Sequence, residues 1–330
     1  MKMPSVSVIV LTWNGKEFLR GCLDSLAAQT FRDFETVLVD NGSTDGSAEF
    51  VREFYPRVRL VTLPENTGFA GGNKRGLAEC GGEFIVTLNN DTKAEPEFLA
   101  ELVAAAESDP RIGMVASKML NFHETGRIDS VGIRVAVTGM ASNIGVGEAD
   151  EGQYDTPREV FGACGGAALY RRAMLDEVGF FDPSFFAYYE DTDLAWRGRL
   201  AGWCCITAPR AVVYHVHSAT GGRMSPFTVY HVHRNKWYVI VANWPAWLLL
   251  EHLPLIVWYD LGALVLATLR GRLGAALRAR LHVLRDLPLL LHRRREVRRR
   301  CRIEVCEVVR FLERGGSPVR TFQRKMGSGV

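Results

Sequence analysis

The first 120 residues alternate between short continuous apolar runs and longer segments whose apolar positions recur every three or four residues. Residues 5–12 (SVSVIVLT) form an almost unbroken β-branched run, as in a strand covered on both faces. Residues 16–29 then place Phe18, Leu19, Cys22, Leu23 and Leu26 at helical spacing. Residues 35–39 predict a second strand ending at Asp40. NGSTDGS predicts a turn in which Ser43 or Thr44 caps a helix running to about Phe54. Residues 58–63, 68–80 and 83–88 predict strand, helix and strand, the last leading into Asn89, Asn90 and Asp91. This alternation argues an α/β fold: a doubly wound, mostly parallel sheet with helices on both faces. Ligands of such sheets bind at the carboxyl ends of the strands, where Thr12-Trp13-Asn14, Asp40 and Asn89-Asn90-Asp91 all fall.

Further along, FGACGGAAL (161–169) gathers small residues where a ligand could approach backbone closely. An aromatic stretch, GFFDPSFFAYY, then leads into Glu190-Asp191-Thr192-Asp193 at the start of a helix ending near Gly202. First-turn acids suit the helix dipole. A carboxylate at the lip of an aromatic pocket, partly withdrawn from water, is also a stronger proton acceptor. Asp193 and Arg197, four apart, are expected to pair, leaving Glu190 or Asp191 for the pocket. In AVVYHVHS (211–218), an extended chain would put Val213, His215 and His217 on one face, and a second H-x-H follows at His231 and His233. A His-only zinc site is one reading of these pairs.

Composition is that of a globular protein: 330 residues, 47% hydrophobic and 23% charged, a length that suggests about two domains. The seven cysteines form no C-x-x-C pair, which favours reduced thiols and a cytosolic setting. The short apolar run at the N-terminus does not read as a signal peptide. The net charge of +3 conceals a split, because residues 270–330 hold 17 Lys and Arg against five Asp and Glu. Just before this basic tail, residues 237–269 contain four Trp and two Tyr, no Lys or Arg, and only Glu251, His252 and Asp260 as acidic or imidazole groups. Aromatic-rich apolar sequence followed by arginines suits a membrane interface with an anionic leaflet. A crossing helix needs about 20 clean apolar residues. Pro245, Glu251, Pro254 and Asp260 interrupt this run, so in-plane or re-entrant helices are expected, with a buried helical subdomain as the plain alternative. The chain thus divides into residues 1–236 and a helical membrane-associating region, 237–330. No nucleic-acid partner is expected, since no recognised binding module accompanies the tail.

The strand-end loops lack G-x-G-x-x-G and G-x-x-x-x-G-K-[ST], which argues against dinucleotide oxidoreductases and P-loop NTPases. A nucleotide held by side chains remains. Asp40 can accept from a pyrimidine N3–H or a ribose hydroxyl, Asn14 and Asn73 can read or brace the nucleotide, and Asp91 can hold a hard divalent cation. With a diphosphate present, Mg²⁺ or Mn²⁺ suits Asp91 better than zinc.

The succession SVIVLTWNG, LDSLAAQT, VLVDNGSTDGS, ENTGFAGGNKRG, LNND and GFFDPSFFAYYEDTDLAWRGRLAGW resembles the family-2 inverting glycosyltransferases of the GT-A fold, most of all their bacterial rhamnosyltransferase-type branch, over about residues 5–235. The resemblance implies a nucleotide-diphosphate sugar donor (dTDP-rhamnose foremost, then UDP-sugars), a divalent metal and inversion at the anomeric carbon. By it, Thr12, Asn14, Asp40 and Asn73 fall on nucleotide-binding positions, and Asn90 and Asp91 on the D-x-D-type metal motif. Asp191, beside Glu190, falls on the general base, and His215 or His217 on the histidine that meets metal or diphosphate. Two departures stand out: N-N-D lacks one carboxylate of the metal motif, and GGNK replaces GGNN at Lys74. The acceptor implied is a cell-envelope glycan or polyprenyl-linked sugar, reached from the cytoplasmic face of the membrane by a peripheral or monotopic enzyme. A catalytically inactive sugar-nucleotide sensor or scaffold and a metal-dependent hydrolase are the competing classes.

Overall fold

The computed structural model describes residues 4–216 and 225–314 of the chain. Its first elements follow the predicted order: β1 (Val6–Thr12), α1 (Lys16–Ala27), β2 (Phe34–Asp40), α2 (Ser47–Phe54), β3 (Arg59–Thr62), α3 (Gly68–Leu77) and β4 (Phe84–Asn89). One start differs. Helix α2 begins after Gly46 rather than at a Ser43 or Thr44 cap, because Asp45 Oδ1 takes the Ser47 N–H at 3.0 Å. Ser43 and Thr44 are drawn instead to the loop after β1, where Ser43 Oγ accepts from Asn14 N (2.9 Å) and Thr44 N donates to Asn14 Oδ1 (2.8 Å).

The chain continues through β5 (Thr92–Ala94), α4 (Phe98–Glu107), β6 (Ile112–Asn121), β7 (Ile128–Ser130), β8 (Ile133–Ala136), β9 (Ala141–Asn143), β10 (Ala167–Arg171), α5 (Arg172–Val178), a 3-10 turn (Pro183–Phe185), α6 (Glu190–Leu200) and β11 (Cys204–His215). The main sheet runs β3-β2-β1-β4-β10-β6-β11-β5, with β7 also on β6. It is parallel from β3 to β4, while β10 lies antiparallel between β4 and β6. Alternate residues of β1 serve opposite faces: Val8 and Val10 belong to the apolar cluster that includes α1 and α4 residues, and Ile9 to the cluster that includes α3 and α5 residues. Each such burial stabilises the sheet by roughly 1.5–3 kcal/mol relative to exposure. Close approach of α3 requires Gly76, where a Cβ would lie 2.7 Å from Ile9 Cγ2.

The C-terminal part is helical: α7 (Pro226–Asn243), α8 (Ala246–Leu269), α9 (Leu273–Arg285), α10 (Leu287–Arg300), the short α11 (Val305–Val309), and β12 (Leu312–Glu313), which joins β8 and β9 in a small second sheet. The division at 236/237 falls inside α7, which packs on α6, α9 and α10. Among the described residues, α8 is the one helix long and apolar enough to cross a membrane, and it buries only Leu248, Ile256 and Ala267. Asp260, the charge interrupting that segment, points inward and accepts from Lys236 Nζ (2.9 Å), Trp237 Nε1 (3.1 Å) and Arg280 Nε (3.0 Å). Outward stand Trp247, Leu250, Trp258, Leu261 and Val265, and α9 adds Leu277, Leu281 and Leu284. All seven cysteines are free thiols.

Candidate active site

At β1 and β4 the strand order turns back, and the loops leaving this edge border a cleft of about 820 Å³. Register brings the loops together: Thr12 pairs with Asp40, and Leu11 with Asn89. Asn90 reaches across, donating from Nδ2 to Thr12 Oγ1 at 3.0 Å.

Asp91 sits between β4 and β5. Because β5 pairs with the end of β11, Thr92 lies opposite His215, and His215 Nε2 comes 3.2 Å from Asp91 Oδ1. On the other side of β6, β7 delivers Asp129, whose Oδ2 accepts from His215 Nδ1 at 2.7 Å. Burial works against a charged imidazole here, but the hydrogen bonds and charges of Asp129 and Asp91 outweigh it and raise His215 to about 9. The donor set fits a hard divalent cation. A carboxylate oxygen and an imidazole nitrogen 3.2 Å apart match adjacent ligands on an ion bound at roughly 2.1 Å. A carboxylate on the far ring nitrogen is the usual way such a histidine is oriented. Among the described residues no group of three His, Cys, Asp or Glu could hold a metal alone, so substrate oxygens or water would complete the shell.

The same cleft is lined by Glu190 and Asp191 at the start of α6. Asp191 Oδ2 accepts from Gly165 N (3.1 Å), in the small-residue loop, and Oδ1 from Thr192 N (2.6 Å). Burial nonetheless raises its pKa above the ordinary aspartate value, those N–H groups opposing it. Glu190 is pushed up further, by burial and by Asp191 alongside, and its Oε2 has no hydrogen-bond partner among the described residues. Asp193 pairs with Arg197 at 2.8 Å, as its spacing predicts. The loop ahead of α6 holds Phe186, Tyr188 and Tyr189 at φ of 63°, 69° and 71°, conformations costing about 1–3 kcal/mol each for residues with side chains.

Of the residues singled out from sequence, Asn90, Asp91, Glu190, Asp191 and His215 line one cleft. Thr12, Asn14, Asp40 and Asn73 are not in its lining. Thr12 holds Asn90, Asn14 holds the 43–44 turn, Asp40 Oδ1 accepts from Ser43 N (3.1 Å), and Asn73 Nδ2 donates to Phe69 O (2.9 Å) within α3. His217 lies outside the described residues. His231 and His233 sit on helix α7, where two-residue spacing sends them in different directions. His231 stacks on Phe186 at 5.3 Å, and burial, helped by Arg234, lowers it to about 4. Asn89, marked at its strand end, brings Nδ2 to 3.3 Å from His215 Nε2, whereas sequence reasoning missed Asp129, and Phe227 and Val232 of α7 in the cleft wall. An isolated Asp in IDS carries no motif; only the pairing of β7 with β6 reveals it.

A 3-2-1-4 sheet edge carrying acidic strand-end loops over such a cleft is the GT-A glycosyltransferase architecture. A solved relative of this fold, the mannosyltransferase PcManGT from Pyrobaculum calidifontis in complex with GDP-Man and Mn²⁺, aligns with a TM-score of 0.54 at 21% identity, over 91% of this chain and 86% of that one. The model of Glycosyl transferase family 2 matches residues 7–179, more than half of the chain, and the protein belongs to that family. It is a glycosyltransferase. The N-acetylglucosaminyl-diphospho-decaprenol L-rhamnosyltransferase of Mycobacterium tuberculosis (strain H37Rv) is 28% identical over 72% of this chain and 83% of its own length. The O-antigen biosynthesis protein RfbC of Myxococcus xanthus is 30% identical over 66% of this chain, which spans 18% of that protein.

Proposed function

We propose that the enzyme transfers a rhamnosyl group from dTDP-rhamnose to a hydroxyl of a polyprenyl-diphosphate-linked or other cell-envelope glycan, inverting the anomeric carbon. The observation that carries this reading is one cleft bordered by the Asp91–His215–Asp129 chain and by half-buried Asp191. The rhamnosyltransferase relative supports the rhamnosyl group and the polyprenyl-diphosphate-linked acceptor class. UDP-sugars are the next donors.

A bound Mg²⁺ or Mn²⁺ supplies Lewis acidity for the negative charge that develops on the departing diphosphate. Asp91 and His215 are the residues to hold it, and Asp129 keeps the imidazole turned towards Asp91. Asp191 takes the proton of the acceptor hydroxyl as its oxygen attacks C1. The Gly165 and Thr192 N–H groups orient the carboxylate, and burial raises its affinity for that proton. Such assistance typically contributes about 10²–10⁴-fold, positioning and electrostatics the rest. Glu190 keeps its proton more tightly than an ordinary carboxylate and can donate a hydrogen bond to a sugar hydroxyl. Asp40 is suited to the nucleoside, with Thr12 and Asn14 bracing the neighbouring loops and Asn73 set in α3 beside them. A nucleotide-sugar panel with Mn²⁺ tests the donor: dTDP-rhamnose should raise the melting temperature most. Transfer to a polyprenyl-diphosphate-linked acceptor, followed by NMR, should give the inverted anomer; retention would remove Asp191 as base.

The outward leucines and tryptophans of α8 and α9, bordered by the arginines of α10, suit docking in the plane of an anionic cytoplasmic leaflet. There the cleft would meet a lipid-linked acceptor. Cosedimentation with phosphatidylglycerol vesicles and loss of binding in high salt with phosphatidylcholine alone would support this placement.

A further inference from the structure

The strained loop before α6 is held from outside. Phe186, at φ 63° and ψ −64°, centres a three-residue turn closed by Ala187 N donating to Phe185 O at 2.8 Å, and Tyr188 and Tyr189 follow in the left-handed region. Such backbone persists only where its surroundings over-determine it. Most of that determination comes from α7. Asn235 is fully buried, and its Nδ2 lies 2.9, 2.8 and 2.7 Å from the carbonyl oxygens of Phe185, Ala187 and Tyr188. Arg234 Nη2 donates to Ser184 O (2.7 Å) and Phe185 O (2.9 Å), while its Nε donates to Asn235 Oδ1 (2.9 Å) and so keeps the amide NH₂ facing the loop. The guanidinium packs against the rings of Tyr230 and Tyr238, at 5.1 and 5.0 Å. From α10, Arg293 reaches Asp182 (2.6 Å) and Ser184 Oγ (3.0 Å). The far end of the loop is Tyr189, which caps the start of α6 and whose carbonyl accepts the Asp193 N–H at 2.8 Å; Glu190 and Asp191 come next in the chain.

We propose that Asn235 and Arg234 are positioning residues: they pin the 184–188 carbonyls and thereby set where the first turn of α6 presents Asp191 to the acceptor. Helix α7 then belongs to the catalytic apparatus as much as to the C-terminal region. The proposal rests on the reading of Asp191 as the base.

Asn235→Asp is the sharpest test in the full-length enzyme, since it is nearly isosteric yet turns an acceptor oxygen towards three carbonyls. A displacement of about 1 Å can cost about 10²-fold. Asn235→Asp should therefore lower kcat by about that factor, and Asn235→Ala by about 10-fold. Donor Kd should stay within about twofold, and the acid limb of the pH profile should move as Asp191 shifts against the Gly165 N–H. Val229→Ala, buried on the same helix against Ala267, Ala275 and Ala276, controls for plain destabilisation and should keep kcat. Loss of kcat in step with melting temperature across all three variants would overturn the clamp. So would full turnover in Asn235→Asp beside an inactive Asp191→Asn, which leaves the base assignment standing. An active Asp191→Asn overturns the base itself, whatever the variants at 235 do.

Discussion

In the sheet-bearing body, Val8, Ile9 and Val10 are sealed between layers and the charged groups gather round an open cleft. In the C-terminal helices the arrangement inverts: Trp258, Leu261, Leu281 and Leu284 face outward, while Lys236, Asp260 and Arg280 are tied together inside. The same burial rule accounts for both patterns under the proposed docking, in which the cleft meets water and the outer faces of α8 and α9 would meet hydrocarbon. The two regions touch where α7 and α10 grip the loop before α6, where Asn243 of α7 donates to Asp193 of α6, and where β12 joins β8, so they should be separable by substitution away from those seams.

The largest effect should come from Asp191→Asn. Turnover should fall about 10³-fold, with donor affinity and vesicle binding unchanged, as read by steady-state kinetics, calorimetry and cosedimentation. Asp91→Ala should cost about 10²-fold or more and remove Mn²⁺ binding in calorimetry; chelation of the parent enzyme should mimic it, reversed by added Mn²⁺. Conversely, the pair Leu281→Asp and Leu284→Asp should weaken partition into anionic vesicles by about 10-fold or more while sparing turnover on a water-soluble acceptor. The smallest effect concerns pH. Because burial raises Asp191, kcat/KM should decline on acidification at a higher pH than an exposed aspartate would give, the base being inactive once protonated. Thr192→Ala, which removes a hydroxyl 3.3 Å from Oδ1 that favours the ionised form, should raise that limb slightly further.

The first 90 residues were readable because their order is local: apolar period, turn residues and strand ends recur within each unit, and β1 to β4 lie where the pattern puts them. Asp91, Asp191 and His215 were legible from motifs, and they do share a cleft. Residues 112–171 were not, since β10 enters antiparallel between strands distant in sequence and β7 brings Asp129 to a histidine 86 residues away. Asn235 was invisible for a related reason. Within HRNK it reads as a polar helix position, and only tertiary packing turns its amide onto three carbonyls. Ser43 and Thr44 show local chemistry overruled, their capping capacity being taken by Asn14.

The tryptophans divide by surroundings in a way an emission spectrum can read. Trp196 and Trp244 are enclosed, whereas on α8 Trp258 is 65% exposed and Trp247, three turns before it, also stands outward. Trp13 lies at the mouth of the cleft. A blue shift on adding vesicles would therefore come from α8, bromine-labelled acyl chains would gauge its depth by quenching, and a nucleotide would report itself through the indole at position 13. The enzyme carries its own fluorophores for both of its surfaces.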